Sequence, residues 1–351
     1  MPGVALTLVV LLTIPLVLLE LVISDSTVRL IPLVIIFPAL AAAVGTLRET
    51  FYAVGWVVLV ITAVLVYRPF PSLGDQVIVT VLALVLGALC LLTCHKRIRR
   101  EEESRRMRSG AAALQRQMLR PLPVLTDRVI VDGVFLPVEE DLLAGGDIYE
   151  AVASPYGTRL LIGDVQGKGL PAVAAAFALL SAFRETAPRE PTLTAVADAL
   201  ETAVGHHNAV AGQIGEPERF VTALILGVDG SEATQALSCG HRPLYLLDAG
   251  SITTVPTGET GVPLGLAELS AEPRIVDWFA FPSEATLLLC SDGVTEARDI
   301  AGGFYPLEER LRAWADVSPW DMVRDLADDL RRYTGGDQRD DITALVVRRV
   351  N

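Results

Sequence analysis

Two aspartates that lie among glycines are the first residues of this chain whose types and spacing could do chemistry. Asp147 follows Gly145-Gly146, and Asp164 stands in the run Ile162-Gly163-Asp164-Val165-Gln166-Gly167-Lys168-Gly169. Glycine permits close backbone approach and positive φ, whereas aspartate supplies the hard oxygen ligands that Mg²⁺ and Mn²⁺ prefer. Two β-type runs around Pro155-Tyr156-Gly157 predict a hairpin that returns Asp164 to Asp147, so that both carboxylates reach one metal site.

Other interpretations of these glycine-flanked aspartates remain open at this point. Each Gly-Asp pair alone also fits a simple turn, because aspartate tolerates left-handed backbone and caps its own main chain. A phosphate-binding loop at 163–169 does not fit, since Gly169 stands where Ser or Thr is required and the glycine spacing is one residue short. Further carboxylates in the same setting favour the metal: Asp292 follows an apolar run, and Asp340-Asp341 precedes another.

Four such aspartates would repel one another strongly if they converged without cations. A pair of divalent ions, about 3.5–4 Å apart, relieves that repulsion and activates water for in-line attack on phosphorus. The sequence has no Cys-x5-Arg or Ser-His-Asp pattern that would offer a competing nucleophile. The residues therefore predict a two-metal phosphoryl hydrolase that uses Mn²⁺ or Mg²⁺.

The composition divides the chain into a membrane part and a soluble part. The mean hydropathy is +0.45, and the apolar excess lies in residues 1–95. Four apolar segments there are each about long enough to cross a bilayer; they are 4–23, 30–47, 51–67 and 77–94. The basic cluster at 95–100 predicts that this end of the last span is cytoplasmic, and four spans then place the N-terminus inside as well.

Charge is distributed unevenly among three predicted parts: a transmembrane region of about four helices (1–95), a basic helical linker (96–121) and a catalytic domain (122–351). Residues 96–120 carry net charge +6, which suits anionic lipid head groups, and residues 121–351 carry net charge −18. That acidic domain argues against a nucleic-acid partner. The four cysteines have no disulfide-framework or zinc-type spacing, which suits a reducing cytoplasm.

Short strands and helices are mixed beyond Pro123, which predicts an α+β sandwich rather than a doubly wound parallel sheet. The residues 220–254 are expected to form an antiparallel meander, and 205–219 a polar loop with His206 and His207. The predicted helices are 171–184, 194–204, 307–314 and 321–334, and the predicted strands are 128–136, 159–162, 220–228, 233–238, 244–247, 252–254, 285–290 and 343–348.

The linker is predicted to be a helix with a narrow apolar stripe. Met107, Ala111, Leu114 and Met118 recur at helical spacing. The stripe fits two arrangements: pairing with a second copy, which would give a homodimer through the linker and membrane helices, or packing of the helix on the membrane or on its own domain.

Taken together and in order, the motifs resemble bacterial PPM-type (PP2C-like) serine/threonine phosphatases of the SpoIIE/RsbU branch. The resemblance covers about 120–351 and implies an αββα sandwich, two antiparallel sheets flanked by helices, with two Mn²⁺ or Mg²⁺ ions at one end. The matching motifs are Gly145-Gly146-Asp147, the run 162–169, Ser238-Cys239-Gly240-His241, Pro263-Leu264-Gly265, Ser291-Asp292-Gly293-Val294-Thr295-Glu296-Ala297 and Asp340-Asp341-Ile342-Thr343.

The resemblance also implies roles for individual residues. The catalytic metal ligands would be Asp147, Asp164, Asp292 and Asp340, together with the carbonyl of Val165, while Asp341 is the less favoured of its pair. Lys168 and His241 are candidate substrate contacts, against the alternatives of a solvated lysine and a structural histidine in a turn. Gln166 stands where eukaryotic relatives carry a histidine that protonates the leaving oxygen, so the general acid is unassigned.

The implied activity is hydrolysis of phosphoserine or phosphothreonine on a regulatory protein, typically an anti-sigma-factor antagonist, by a multi-pass cell-membrane protein with a cytoplasmic phosphatase domain. One alternative is a catalytically weak, membrane-tethered signalling scaffold of the same fold, which the presence of all four aspartates disfavours. A transporter is disfavoured because transport usually needs ionisable groups within the membrane, and only Glu20, at the edge of the first predicted span, comes close to that.

Topology gives a direct test of the membrane prediction. A reporter fused after Arg100 should read as cytoplasmic, and one inserted within 73–76 should read as extracellular, because basic residues are retained on the inner side. The reverse pattern would place the catalytic domain outside the cell and contradict the signalling hypothesis.

Overall fold

The computed structural model describes residues 4–22, 30–136, 146–241, 244–255, 257, 261–270, 272–314, 317–336, 338 and 340–350. Gly145 of the first motif therefore lies outside the described residues. Contacts divide the chain into two compact units, Met1–Arg106 and Met107–Asn351.

The first unit contains three helices that are long and apolar enough to cross a membrane. They are α1 (Val4–Val22), α3 (Leu47–Tyr67) and the stretch Leu73–Arg106 of α4 (Leu73–Met118). The buried residues of α3 recur every three or four positions, so one face of this helix packs against its neighbours. These helices are compatible with membrane spans.

The segment predicted as the second span, 30–47, differs from that expectation. It forms a short 3₁₀ helix, Ile31–Ile36, followed by the α-helix α2, Pro38–Val44. Pro38 lies in the first turn of α2, where its missing N–H is tolerated, but a proline there cannot continue the hydrogen bonds of a preceding helix. A continuous helix over Ile31–Val44 would rise only about 21 Å, against a hydrocarbon core of about 30 Å.

The second unit is built on two antiparallel sheets. The six-stranded sheet has the order β1-β2-β11-β10-β7-β8, and the five-stranded sheet has the order β3-β4-β5-β6-β9. The strands are β1 (Val124–Leu125), β2 (Val129–Leu136), β3 (Asp147–Ser154), β4 (Gly157–Val165), β5 (Val221–Val228), β6 (Ala233–Cys239), β7 (Tyr245–Asp248), β8 (Ser251–Thr254), β9 (Asp277–Ala280), β10 (Thr286–Cys290) and β11 (Ile342–Arg349).

The six-stranded sheet is buried on both faces, and the alternation of side chains along its strands shows what covers each face. Leu287 of β10 and Leu345 of β11 join the main core, which includes the five-stranded sheet. Leu288 and Val346, one residue further along, point the other way and join a second cluster. The two sheets therefore pack face to face.

Helices cover the outer faces of both sheets. The helices α5 (Leu170–Thr186) and α6 (Leu193–Gln213) contribute their buried residues to the core of the five-stranded sheet. The helices α8 (Leu307–Ala313) and α9 (Pro319–Tyr333) pack on the second cluster, and the single turn α7 (Asp292–Thr295) follows β10. The predicted α+β sandwich, with two antiparallel sheets between helices, is confirmed.

Two local predictions were wrong, and two edge strands, β1 and β9, were not predicted. The helix α6 continues to Gln213, so His206 and His207 are helical rather than in a loop, because Val204, Asn208 and Ala211 extend its buried stripe past Gly205. The strands β5 to β8 are not one meander: β5 and β6 lie in one sheet, and β7 and β8 in the other.

The end of α4 buries one member of the predicted stripe, Met118, but not Leu114. Gln115, Met118 and Leu119 are buried, whereas Leu114 is 51% exposed. The side chains of Met107 and Ala111 lie outside the described residues. The buried face is therefore centred one residue beyond Leu114, and it packs into the core of the same chain.

Candidate active site

The predicted hairpin is present and aligns the first two aspartates directly. The strands β3 and β4 pair with Asp147 opposite Asp164 and with Ser154 opposite Gly157 at the turn. Directly opposed residues in an antiparallel pair project to the same face with Cβ atoms about 4.5–5.5 Å apart. Both carboxylates therefore lie on one face at one end of the five-stranded sheet.

Gly146 allows the chain to approach Asp164 closely enough for this pairing. A Cβ at Gly146 would lie 2.2 Å from the Val165 carbonyl oxygen and 2.3 Å from Oδ1 of Asp164. The Val165 N–H donates to the Gly146 carbonyl at 3.0 Å. A side chain at position 146 would thus displace both the Asp164 carboxylate and the Val165 carbonyl that was predicted as a ligand.

The six-stranded sheet brings further carboxylates to the same end. Asp292 begins α7 directly after β10, and Asp341, which is 3% exposed, comes directly before β11. A Cβ at Gly293 would lie 1.8 Å from the Asp341 carbonyl oxygen, so only glycine permits these segments to touch. Thr343 of β11 links the two sheets, since its hydroxyl donates to Oδ2 of Asp147 at 2.6 Å.

The pKa shifts show that these carboxylates lie close enough to repel one another. Burial, and then the charge of Asp164, raise the pKa of Asp147 well above its ordinary value, although hydrogen bonds from Thr343 and Ser291 oppose that rise. Burial, and then repulsion by Asp292, Asp340 and Asp341, raise the pKa of Asp164 to about 7. Carboxylates from both sheets therefore destabilise one another's charged forms.

This donor set fits divalent cations of the Mg²⁺ or Mn²⁺ type. Within the described residues, no three Asp, Glu, His or Cys side chains converge closely enough to enclose one ion. Mg²⁺ is usually held by only one or two carboxylates, with waters completing the octahedron. A cation bound among these mutually repelling carboxylates would be stabilising, and Asp147, Asp164 and Asp292 are the candidates to hold it.

The pair Asp340-Asp341 divides between an exposed and a buried position. The side chain of Asp340 is 56% exposed, and its Oδ1 forms an ion pair with Nζ of Lys168 at 2.9 Å. Its Oδ1 also accepts from the Asp341 N–H at 3.1 Å. The predicted ligand Asp340 is thus held by the predicted substrate contact Lys168, and Asp341 is the buried member of the pair.

His241 and Gln166 occupy quite different surroundings. His241 is 3% exposed, and its Nδ1 lies 3.2 Å from the hydroxyl of Thr222, which is directly opposite Asp164 in the sheet. His241 is thus connected to the site through one residue, Thr222. Gln166 has an exposed side chain, and its backbone N–H donates to the Phe220 carbonyl.

A buried carboxylate that the sequence did not single out lies three residues after Asp147 on the same strand. The Glu150 side chain is 0% exposed and pairs with Arg184 of α5 at 2.5 Å and with Arg120, just after α4, at 3.1 Å. The Tyr149 hydroxyl donates to the Arg120 carbonyl at 2.7 Å. An acidic residue flanked by apolar ones was the available signal, but its two partners lie far away in the sequence.

Gln115 connects the last turns of α4 to the first aspartate. Its side-chain amide is buried and donates to the Asp147 carbonyl at 3.3 Å. With Arg120 and Glu150, this contact attaches the end of the linker to the strand that carries a proposed metal ligand. The backbone of Asp147 is therefore positioned partly by residues that precede the domain.

Comparison with solved structures places this architecture in one class. The RsbU and RsbW domains of Rv1364c from Mycobacterium tuberculosis are 25% identical, with a TM-score of 0.51 over 64% of this chain and 61% of that one. The SiaA-PP2C domain of Pseudomonas aeruginosa is 17% identical, with a TM-score of 0.57 over 73% of this chain and 99% of that one. The PP2C phosphatase domain of SpoIIE from Bacillus subtilis, solved with a fragment of its regulatory domain, is 15% identical, with a TM-score of 0.52 over 64% and 65%.

The fold is thus that of PP2C-type phosphatases. The sequence profile described as "Stage II sporulation protein E (SpoIIE)" matches residues 154–350, more than half of the chain. The chain belongs to the SpoIIE family, and its second unit is a phosphatase domain of the metal-dependent serine/threonine class. It spans less than two thirds of the length of the solved chain that contains the RsbU and RsbW domains.

Carboxylate repulsion predicts how stability depends on pH without metal. Because the pKa of Asp164 is raised to about 7 in the folded state, that state binds a proton more tightly than the unfolded chain. Stability from this group is therefore present at low pH and is lost as pH rises through 7. The melting temperature of the full chain in EDTA should fall as the pH rises from the ordinary Asp pKa of 3.8 to about 7. Asp164→Asn should reduce this fall. The exposed Asp328→Asn is the matched control, and an equal fall in both variants would contradict the prediction.

The contact of Gln115 predicts a dependence of metal affinity on the linker. Gln115→Leu removes one buried hydrogen bond of about 0.5–1.5 kcal/mol, which corresponds to about a twofold to tenfold rise in the Mn²⁺ concentration for half-maximal activity. Gln117→Leu, the same change on the exposed face of the helix, is the control. If both variants shift the Mn²⁺ dependence equally, the linker contact does not position Asp147.

Proposed function

We propose that this protein is a membrane-anchored, metal-dependent phosphatase that removes phosphate from serine or threonine of a cytoplasmic regulatory protein of the anti-sigma-factor antagonist type. The single observation that carries the proposal is the pairing of Asp147 with Asp164 across one hairpin, close enough to Asp292 from the other sheet for its charge to raise the pKa of Asp164. Membership of the SpoIIE family supports the same reaction.

Individual residues would have distinct roles in this reaction. Asp147, Asp164 and Asp292 would hold two divalent ions, with Asp340 or Asp341 contributing from the start of β11. When bound, such ions neutralise the carboxylates and activate water for in-line attack on phosphorus. Thr343 fixes the orientation of Asp147 through its hydrogen bond to Oδ2, which keeps the carboxylate directed across the space between the sheets.

The surroundings of Asp292 limit how a substrate can enter. A cavity of about 170 Å³ is lined by Asp292, Asp340, Arg298 and Thr334, among others. This volume is below the roughly 300–1,000 Å³ of typical small-molecule pockets. Neither Asp147 nor Asp164 lines it, and its size would admit a single phosphorylated side chain presented on an exposed segment of the substrate protein.

The membrane region and the charge distribution support the location. Three long apolar helices precede the domain, and the basic residues between 96 and 106 lie at the C-terminal end of the last of them, beyond its apolar part. Basic flanks are retained on the cytoplasmic side, where phosphorylated regulatory proteins are found. The acidic catalytic domain would be repelled from the anionic lipid surface and remain accessible to a soluble partner.

The proposed activity predicts a metal requirement and a specific loss on substitution. The full chain in detergent should hydrolyse a phosphoserine peptide with Mn²⁺ or Mg²⁺ and lose that activity in EDTA. Asp292→Asn removes a ligand charge and should lower kcat/KM by orders of magnitude while the protein stays folded. Asp328→Asn, an exposed carboxylate on α9, should retain the unmodified rate. Activity that persists in EDTA would contradict the two-metal hypothesis.

The partner is tested separately with a phosphorylated anti-sigma-factor antagonist and a phosphotyrosine peptide. Faster hydrolysis of the antagonist than of the short phosphoserine peptide, and no hydrolysis of phosphotyrosine, would support the proposed substrate. Metal-dependent activity on the peptide with none on the antagonist would retain the phosphatase and reject this partner. A folded protein without activity on any substrate would instead favour the scaffold.

A further inference from the structure

We propose a second ligand site in the phosphatase domain, a pocket for a small oxyanion such as phosphate or a carboxylate, centred on Arg159. The site lies near the turn of the β3–β4 hairpin, whereas Asp147 and Asp164 lie at the open end of that hairpin. Arg159 is five residues before Asp164 on β4, which separates the two by about 16 Å along the strand.

The side chain of Arg159 is buried without enough acceptors for its donors. Arg159 is 2% exposed, and its Nη2 donates to the backbone carbonyls of Pro191 at 2.9 Å and Glu190 at 3.4 Å. Its Nε and Nη1 are buried and have no acceptor among the described residues. A guanidinium has five N–H donors, and leaving charged donors unsatisfied in a protein interior is costly.

A cavity of about 340 Å³ lies beside Arg159. Arg159 is directly opposite Gly227, and Gly227 is directly opposite Gln235 on the following strand. All three residues line the cavity. The guanidinium carbon of Arg159 lies over the ring of Tyr156, 5.7 Å from the ring centroid.

The charges that line this cavity favour an anion. Arg128 and Arg159 both line it, against the single carboxylate of Asp229. Oδ1 of Asp229 already accepts from the backbone N–H of Ser231 at 2.7 Å and from its hydroxyl at 2.6 Å. The lining therefore has a net positive charge, with unsatisfied donors on a residue whose pKa is lowered by desolvation.

An oxyanion is the ligand whose chemistry matches these groups. Carboxylate and phosphate oxygens accept charge-assisted hydrogen bonds from guanidinium groups in defined geometry. Arg159 would provide the buried donors, and Gln235 would add an amide donor. Arg128, on the exposed rim, would neutralise the remaining charge. This site and the proposed active site differ in the sign of the charge that the protein supplies: arginines here, and carboxylates at the active site.

The experiment is calorimetric titration of the full chain in nanodiscs of zwitterionic lipid, with EDTA present. Without metal the active-site carboxylates repel anions, so saturable binding reports on other sites. Inorganic phosphate and malonate are titrated separately, which distinguishes the two oxyanion types. We expect one saturable site for at least one of them. Arg159→Met should weaken that binding by at least about tenfold, since it removes charged hydrogen bonds.

Two further variants keep the test decisive. Arg189→Gln changes an arginine that is 70% exposed and paired with Glu185, outside the cavity, and should bind as the unmodified chain does. Arg128→Gln changes an exposed rim residue that should not affect folding, and it should weaken binding severalfold even if Arg159→Met fails to fold. No saturable binding of either anion, or equal binding by the Arg128 and Arg189 variants, would overturn the proposal and leave water as the partner of Arg159.

Discussion

Repulsion among carboxylates is the constraint on which the organisation of the catalytic unit depends. The five-stranded sheet contributes Asp147 and Asp164, and the segments flanking β10 and β11 contribute Asp292, Asp340 and Asp341. Nothing in the hydrophobic effect favours this arrangement, so the two packed sheets and their helices must stabilise it. The sandwich does so by fixing both strand ends through buried faces and through close backbone contacts at Gly146 and Gly293.

The rest of the domain holds in place the ends of the two sheets where these aspartates lie. Alternating side chains on β10 and β11 divide between two cores, so a slip of either strand by one residue would move every side chain into the wrong core. The hydrogen bond from Thr343 to Asp147 crosses between the sheets and therefore reports their relative position directly. At the other end of the hairpin the packing is looser, and a cavity remains that Arg159, Gly227 and Gln235 line.

Local chemistry made much of this predictable from the sequence. The Asp147–Asp164 hairpin follows from glycine and aspartate at the ends of β-type runs, and both are close in the chain. The assignment of β7 and β8 to the other sheet depends on pairing with β10, some forty residues later, which no local pattern encodes. The partners of Glu150 were hidden for the same reason. The different burial of Asp340 and Asp341 is decided by tertiary packing, because the two residues are chemically identical.

The position of Glu150 has a consequence for how the domain forms during synthesis. Its carboxylate is fully buried between Arg120 and Arg184, and the second of these lies 34 residues later in the chain. At about 5–20 residues per second, the ribosome delivers Arg184 a few seconds after Glu150. Until then, burial of β3 would leave the Glu150 carboxylate with only one of its two arginine partners, which is unfavourable. We therefore expect the nascent strand to stay solvated until α5 has emerged, so that the hairpin and its first helix acquire their native packing together.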